Sequence, residues 1–329
     1  MFDLIYKLPD QIEDARRIAK DIKLPGLPIP KNIVISGMGG SGIGGEILQS
    51  VFSYYSEIPV LVVKDYALPK FVTKQTLFFT VSYSGNTEEI LSAYQQAKKT
   101  GCKVICLTSD GKLLNRAKRH KDLLVKIPTG YPPRSAIGYL FIPFLVLLNK
   151  MGFIRNFDRE ISETIKVLIS QRNFYQNQAQ KIALELRQKI PFIYSTSRLL
   201  NPVANRWRTQ INELAKVFAH TSYFPEHNHN EIVGMGGPAI MKSLTYLLIL
   251  IDPEGHPRNR LRADLTVKIT KGSFFKARKF FPDGKSALAR IFSLIMQGDL
   301  LSYYLASERN VDPLPVVRID KLKSLMAKR

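Results

Sequence analysis

The stretch that decides the fold begins with a short apolar segment, Asn32-Ile-Val-Ile-Ser36, which runs into Gly37-Met-Gly-Gly-Ser-Gly-Ile-Gly-Gly45. Apolar residues at helical spacing follow from Glu46 to Phe52. A buried strand that passes through glycines into a helix is typical of the first unit of a parallel α/β sheet. Glycines also let backbone N–H groups approach an anion at the start of that helix.

The alternation of strands and helices continues through most of the chain. Further strands are predicted at 59–63, 76–82, 102–108, 123–127, 191–196, around 217–219 and at 245–252. Helices are predicted at 87–99, 136–150, 160–189 and 287–307, with a tail from 316. Such alternation indicates parallel sheets covered by helices on both faces. We therefore predict an α/β chain of two doubly wound, flavodoxin-like domains with parallel sheets, residues 1–152 and 153–329.

Length and composition exclude several classes of protein. The 329 residues are 45% hydrophobic and 23% charged, which suits two domains of ordinary size and excludes global disorder. Cys102 and Cys106 are too few for a disulfide framework or a zinc ribbon. The longest apolar run, 139–148, is roughly half a membrane span, and the N-terminus lacks the basic start of a signal peptide. We expect a cytoplasmic protein with no membrane segment.

The strong positive charge invites a nucleic-acid interpretation. Lys and Arg number 48 against 27 Asp and Glu, so the formal net charge is +21. The densest basic cluster, 116–121, is short and contains no aromatic residue, and no nucleic-acid-binding motif is present. We interpret the charge as a solvated surface that attracts small anions, and we do not expect a nucleic-acid partner.

Two features compete to define the ligand. Gly37-x-Gly39-x-x-Gly42 followed by Asp65 matches a dinucleotide fingerprint, which would make the chain an NAD(P)-dependent oxidoreductase. Ser82-Tyr-Ser-Gly-Asn-Thr87, after the third strand, instead places three hydroxyls and several amides at a helix start. Neutral donors and a helix dipole suit a phosphomonoester without a lysine. This loop favours a small phosphorylated ligand.

The loop Ser82–Thr87 resembles the signature of sugar isomerase (SIS) domains. Four further motifs extend the resemblance to the bifunctional phosphoglucose/phosphomannose isomerase family. They are Gly37-Met-Gly-Gly-Ser-Gly-Ile-Gly44, Pro132-Pro-Arg-Ser-Ala-Ile-Gly138, Asn205-Arg-Trp-Arg-Thr-Gln-Ile-Asn-Glu213 and Pro225-Glu-His-Asn-His-Asn-Glu231. The resemblance implies SIS-type domains and a cofactor-free, metal-free aldose–ketose isomerase acting on sugar phosphates.

The resemblance also implies roles for individual residues, beginning with the phosphate. Gly40, Ser41, Ser82, Ser84 and Thr87 would bind it. Binding the phosphate far from the reacting carbons orients the sugar chain for reaction.

Three further residues would carry the chemistry. Glu213 falls where the family has its catalytic base, and a carboxylate near apolar groups such as Trp207 has its pKa raised toward a useful range. Arg134 would stabilise the enediolate charge. His229 would assist ring opening, reaching the active site of the neighbouring subunit of a homodimer.

The C-terminal tail resembles the family's ending. Lys321 matches a lysine close to the sugar, and Lys323 takes its place if the register shifts. Leu314 stands where the family commonly has a threonine. Leucine offers bulk and no hydrogen bond, so we expect glucose 6-phosphate to be converted faster than mannose 6-phosphate.

Two alternatives remain open beside the oxidoreductase. A sugar-phosphate-sensing protein would need the loop 82–87 but neither Glu213 nor His229. A metal site could be formed by Glu226, His227, His229 and Glu231, although no motif fixes a third ligand.

Overall fold

The structure, a computed structural model, describes residues 1–326. The strands are β1 (Asn32–Gly37), β2 (Val60–Val63), β3 (Thr76–Val81), β4 (Lys103–Thr108), β5 (Leu123–Lys126), β6 (Ile190–Ser195), β7 (His220–Tyr223), β8 (Thr245–Leu250) and β9 (Lys276–Phe280). The α-helices are α1 (Phe2–Tyr6), α2 (Leu8–Asp21), α3 (Gly39–Tyr55), α4 (Glu88–Thr100), α5 (Gly111–Arg119), α6 (Ile137–Lys150), α7 (Asp158–Leu186), α8 (Asn201–Gln210), α9 (Met241–Leu244), α10 (Pro257–Ile269), α11 (Ala287–Glu308) and α12 (Val317–Met326).

The first sheet has five parallel strands in the order β2-β1-β3-β4-β5, which is the flavodoxin order. All of β3 and all of β1 except Asn32 are buried, which explains their uninterrupted apolar sequences. The order reverses between β1 and β3, and these strands end side by side, with Gly37 opposite Val81. Ligands of doubly wound sheets bind at such a reversal.

The second sheet has four parallel strands in the order β7-β6-β8-β9, the same order without a fifth strand. The prediction of two doubly wound parallel domains is therefore confirmed. Strand β9, Lys-Ala-Arg-Lys-Phe, is not predicted because it lies at the sheet edge and only Phe280 is buried. The strand expected around 217–219 begins later, at His220, because Ala219 N bonds back to Asn212 Oδ1 (3.1 Å).

The two sheets share one hydrophobic core. Helix α7 packs along α11 and against α2, and one cluster of buried side chains contains residues of both sheets. Trp207 is fully buried and donates to Leu294 O (2.8 Å), and a Cβ on Gly298 would lie about 2.2 Å from its indole nitrogen. Glycine thus allows α11 to contact the indole. Because the core is continuous, the division at residue 152 stays a prediction.

No helix of residues 1–326 is long and apolar enough to cross a membrane. The most apolar, α6, has 14 residues, contains Pro143 and packs in the core against α2 and α3.

Candidate active site

Two helices begin where the strand order of the first sheet reverses. Helix α3 follows β1 after Met38, and α4 follows β3 after the loop 82–87. Within the described chain, neither Met38 nor Thr87 makes a side-chain capping bond. The first N–H groups of both helices are therefore left for an anion, which the helix dipoles also attract.

The hydroxyl loop is ordered by its own hydrogen bonds. Ser82 Oγ lies 3.0 Å from Thr87 Oγ1 and accepts from Gly85 N (3.1 Å). Ser41 Oγ, from α3, accepts from Tyr83 N (3.2 Å), so the glycine cluster and the loop are directly joined. Gly85 has φ +68°, and a Cβ there would lie 1.7 Å from Asp110 O, so glycine is required. The loop shape is thus set before any ligand binds.

Arg134 lies beside this phosphate-type site because α3 approaches it closely. A Cβ on Gly40 would lie 2.8 Å from Pro133 O and 3.0 Å from Arg134 Cα. Only glycine permits this contact between α3 and the 3₁₀ turn Pro133–Ser135. Gly40 therefore has a packing role that brings Arg134 next to Ser41.

The Arg134 side chain links the predicted base to the tail. Its Nη1 lies 3.6 Å from Glu213 Oε2, and its Nη2 donates to Pro313 O (3.0 Å) and Leu314 O (2.5 Å). The residue is 6% exposed. Burial lowers the pKa of Arg134 and Glu213 opposes that change, but a guanidinium stays charged in either case.

Glu213 lies in a π-helical turn, Ile211–Ala215, that extends α8. Burial raises the pKa of its carboxyl, while the positive charges of Arg134, Arg206, Lys216 and Lys323 act in the opposite direction. Single π turns are frequent at functional sites. A carboxyl with a raised pKa beside a fixed cation can accept a proton from carbon and return it.

A buried network of hydrogen bonds, not predicted from the sequence, holds the backbone of Arg134. Arg206 forms a two-bond ion pair with Asp299 (3.1 and 2.6 Å) and donates to Arg134 O (2.8 Å). Gln210 Nε2 also donates to Asp299 (2.9 Å). The sequence signal for this network is Asp299, a buried acid in the middle of the largely apolar helix α11. The network fixes the backbone that carries Arg134.

The C-terminal tail covers Glu213. Lys216, with φ +56°, donates to Pro315 O (2.8 Å), and the tail and the π turn enclose a groove of about 540 Å³. Lys323 is among the charges that lower the pKa of Glu213, and both Lys321 and Lys323 are exposed. Leu314 presents its carbonyl to Arg134, and its side chain is 48% exposed.

His229 lies apart from Glu213 in the single chain. It ends the 3₁₀ turn Glu226–His229, is exposed, and is not among the residues that line the Glu213 groove in the described chain. The four residues of the proposed metal site do not converge on one point: His227 is fully buried beside Glu231, whereas Glu226 is exposed and accepts from Asn230 Nδ2. Residues 1–326 contain no group of three or more His, Cys, Asp or Glu side chains suited to a metal.

Asp65 and a second cavity do not bring catalytic side chains together. Asp65, the acid of the dinucleotide fingerprint, is exposed and accepts from its own neighbour, Tyr66 N (2.6 Å). A larger cavity of about 640 Å³ lies between α3 and β7. Two acids, Glu46 and Glu57, are among its lining residues, and Glu46 is paired with Lys64 and Asn205. The predicted phosphate-binding residues lie just beyond the carboxyl ends of β1 and β3, near Arg134. They are Gly40, Ser41, Ser82, Ser84 and Thr87.

The chain is similar to known proteins over most of its length. A family model described as "SIS domain" matches residues 29–144, and one described as "Bacterial phospho-glucose isomerase C-terminal SIS domain" matches 175–326. The chain is 43% identical over 99% of both chains to a bifunctional phosphoglucose/phosphomannose isomerase of Caldicellulosiruptor bescii. It is 36% identical to that of Aquifex aeolicus over 91% of both chains.

A solved structure shows the same fold at low identity. The C-terminal domain of glucosamine-fructose-6-phosphate aminotransferase from Francisella tularensis superimposes with a TM-score of 0.74 at 16% identity, covering 95% of this chain and 97% of the other. The fold and the long sequence matches, with the motifs of the site, lead to one assignment: the chain belongs to the bifunctional phosphoglucose/phosphomannose isomerase family.

Proposed function

We propose that the chain is an isomerase that interconverts glucose 6-phosphate and fructose 6-phosphate, and also converts mannose 6-phosphate. The observation that carries the proposal is the pairing of Glu213, whose pKa burial raises, with the buried Arg134 at 3.6 Å. The named activity of the long, similar relatives supports the same substrates.

The substrate phosphate binds at the edge of the first sheet, to Ser41, Ser82, Ser84, Thr87 and the free N–H groups of α3 and α4. Gly40 allows that edge to lie against Arg134. A phosphate held there fixes one end of the sugar, so that carbons 1 and 2 lie near Glu213.

The Glu213 carboxylate removes the proton from C2 of the open-chain aldose, and the bond electrons form a cis-enediolate. The proton of the C2 hydroxyl passes to the C1 oxygen across the cis-enediolate. The same carboxyl then returns a proton to C1, which gives the ketose. Arg134 stabilises the negative oxygen of the enediolate, because its guanidinium is fixed by the tail carbonyls and by Glu213. Of the two tail lysines, Lys323 is placed to assist, since its charge acts on Glu213.

His229 opens the sugar ring from the neighbouring subunit of a homodimer. Its exposed position, outside the groove that Glu213 lines, supports a role in another chain's site. Mixed dimers of Glu213→Gln and His229→Ala protomers should be more active than either parent variant. Verified hybrids without recovery would show that both residues serve the same chain. The cytoplasmic location stays a prediction.

A coupled assay with fructose 6-phosphate tests the proposed function. The purified protein, treated with EDTA and given no nucleotide, should produce glucose 6-phosphate. Absence of turnover with fructose 6-phosphate and mannose 6-phosphate, with sugar phosphate still bound, would favour a sensing protein instead. Turnover that requires NAD(P) would favour the oxidoreductase.

A further inference from the structure

The segment that carries His229 is attached to the second sheet by side chains that the proposed mechanism does not use. They are Tyr194 on β6, His220 on β7, and His227 and Glu231, which lie two residues before and after His229. We refer to these four residues as the Glu231 cluster.

Glu231 is the centre of this cluster. Its Oε1 accepts from Tyr194 Oη (2.5 Å) and lies 2.8 Å from His220 Nε2, and its Oε2 lies 3.6 Å from His227 Nδ1. Burial alone raises the pKa of Glu231, but the hydrogen bonds with His220 and Tyr194, together with the nearby His227 and Ser222, outweigh burial and lower it below the ordinary range. The carboxylate is therefore held in its charged form by groups on both strands.

His227 fixes the other side of the segment. Its ring is 0% exposed and packs on Tyr194 and Phe224, with ring centroids 4.5 and 5.4 Å apart. Among the described residues neither ring nitrogen has a hydrogen-bond partner, so the nearby Glu231 carboxylate is the group that compensates its polarity.

The arrangement leaves His229 between two anchored neighbours. Glu231 begins a second 3₁₀ turn, Glu231–Gly234, whose first N–H is capped by Asn230 Oδ1 (2.5 Å). His227 and Glu231 are thus held by contacts with the sheet, while His229 between them is exposed. A partner subunit would meet His229 at a defined place, with little freedom left in its backbone.

We propose that Glu231 is a positioning residue for His229: its carboxylate, bonded to Tyr194 and His220, fixes the segment Glu226–Gly234 on the second sheet so that His229 meets the substrate ring in one orientation. This inference rests on the proposed function, which assigns ring opening to His229. Glu231 itself does not contact the substrate.

A double-variant cycle tests this role, with glucose 6-phosphate as substrate. Glu231→Gln keeps the side-chain shape and removes the charge, so kcat should fall roughly tenfold to hundredfold while KM changes less than about twofold. In a His229→Ala background the same substitution should reduce kcat by less than about twofold, because Glu231 acts through His229. Glu254→Gln, an exposed acid after β8, is the control and should match the wild type.

Each other outcome overturns a definite statement. Equal losses in the wild-type and His229→Ala backgrounds, or a Glu231→Gln enzyme within twofold of wild type, would overturn the positioning role. A wild-type protein inactive on glucose 6-phosphate would overturn the proposed function, and this inference with it. If circular dichroism shows that Glu231→Gln does not fold, Tyr194→Phe supplies the cycle, since it keeps the buried ring and removes one bond to Glu231. A Tyr194→Phe loss that persists in the His229→Ala background would equally overturn the role.

Discussion

The two sheets reverse their strand order in the same way, but the two reversal points are built differently. At the first, between β1 and β3, two helices begin without a side-chain cap next to the hydroxyls of the loop 82–87, so N–H and O–H groups are available to an anion. At the second, between β6 and β8, Asp252 is 2% exposed and pairs with Arg290 (3.3 Å). Thr196 Oγ1 also accepts from Asp252 N (2.9 Å). One reversal is left for a ligand and the other is closed by an ion pair.

This difference shows that strand order alone does not make a binding site. The second sheet contributes to the site by another route, through α8 and its π turn, which carry Glu213 toward Arg134 of the first domain. The first sheet therefore binds and the second supplies the base. Function follows from the side chains placed on a common fold.

The largest expected effect is the loss of kcat when the base supplied by the second domain, Glu213, is replaced. Glu213→Gln keeps the shape but cannot accept a proton, so kcat should fall roughly 10²- to 10⁴-fold. Sugar-phosphate affinity should stay within a few-fold of wild type, because the first sheet is untouched. Steady-state kinetics and titration calorimetry measure the two values. Near-normal turnover would remove Glu213 from the mechanism.

The second effect concerns the closed reversal point. Asp252→Asn leaves the buried Arg290 without its counter-charge and should lower the free energy of unfolding by about 3–5 kcal/mol. Below the unfolding temperature, kcat/KM should be unchanged. Denaturant unfolding and kinetics on the same preparation check both. A lost affinity for sugar phosphate in a folded variant would show that this reversal point also binds.

A smaller effect is expected at the open reversal point. Ser84 is exposed, and within residues 1–326 its Oγ accepts a hydrogen bond only from Asn86 N (3.3 Å), so its hydroxyl is available to a phosphate. Ser84→Ala should weaken sugar-phosphate binding roughly tenfold, as loss of one bond to a charged group predicts, without changing the unfolding temperature. Ser170→Ala, on the surface of α7, is the matched control. Unchanged binding would place the phosphate elsewhere.

Most of the first sheet's role was predictable from the sequence, because a strand, a glycine or serine loop and a helix follow one another locally. Ser82–Thr87 and Gly40 are such local signals. The Arg206–Asp299 network was not, since 93 residues separate its members and only packing brings them together. Strand β9 is not predicted because its two lysines and its arginine interrupt the apolar pattern by which a buried strand is recognised. The position of Lys321 in the tail motif predicts that this lysine lies near the sugar. In the structure, the charge of Lys323, on α12, is among those that lower the pKa of Glu213.

The tail sets a further expected difference, between two substrates. Leu314→Thr keeps the backbone carbonyl that Arg134 binds and adds a hydroxyl. The wild type should favour glucose 6-phosphate over mannose 6-phosphate by about tenfold, and the substitution should reduce that ratio. The comparison is kcat/KM for both aldoses in both proteins. An unmoved ratio would show that Leu314 does not determine specificity.

The smallest effect distinguishes the two tail lysines by pH. The base must be ionised, so kcat/KM should fall as the pH drops through the raised pKa of Glu213. Lys323 lowers that pKa, so Lys323→Met should move this acidic limb to higher pH, and Lys321→Met should move it less. A shift with Lys321→Met alone would reverse the assignment.

The central claim, that Glu213 moves a proton between carbons 1 and 2, is tested most directly by hydrogen exchange in D₂O. Proton NMR of fructose 6-phosphate and its product should show deuterium at these carbons with the wild type. With Glu213→Gln, in protein shown to bind the sugar phosphate, exchange should be at least about a hundredfold slower. Exchange at the wild-type rate in Glu213→Gln would contradict the account.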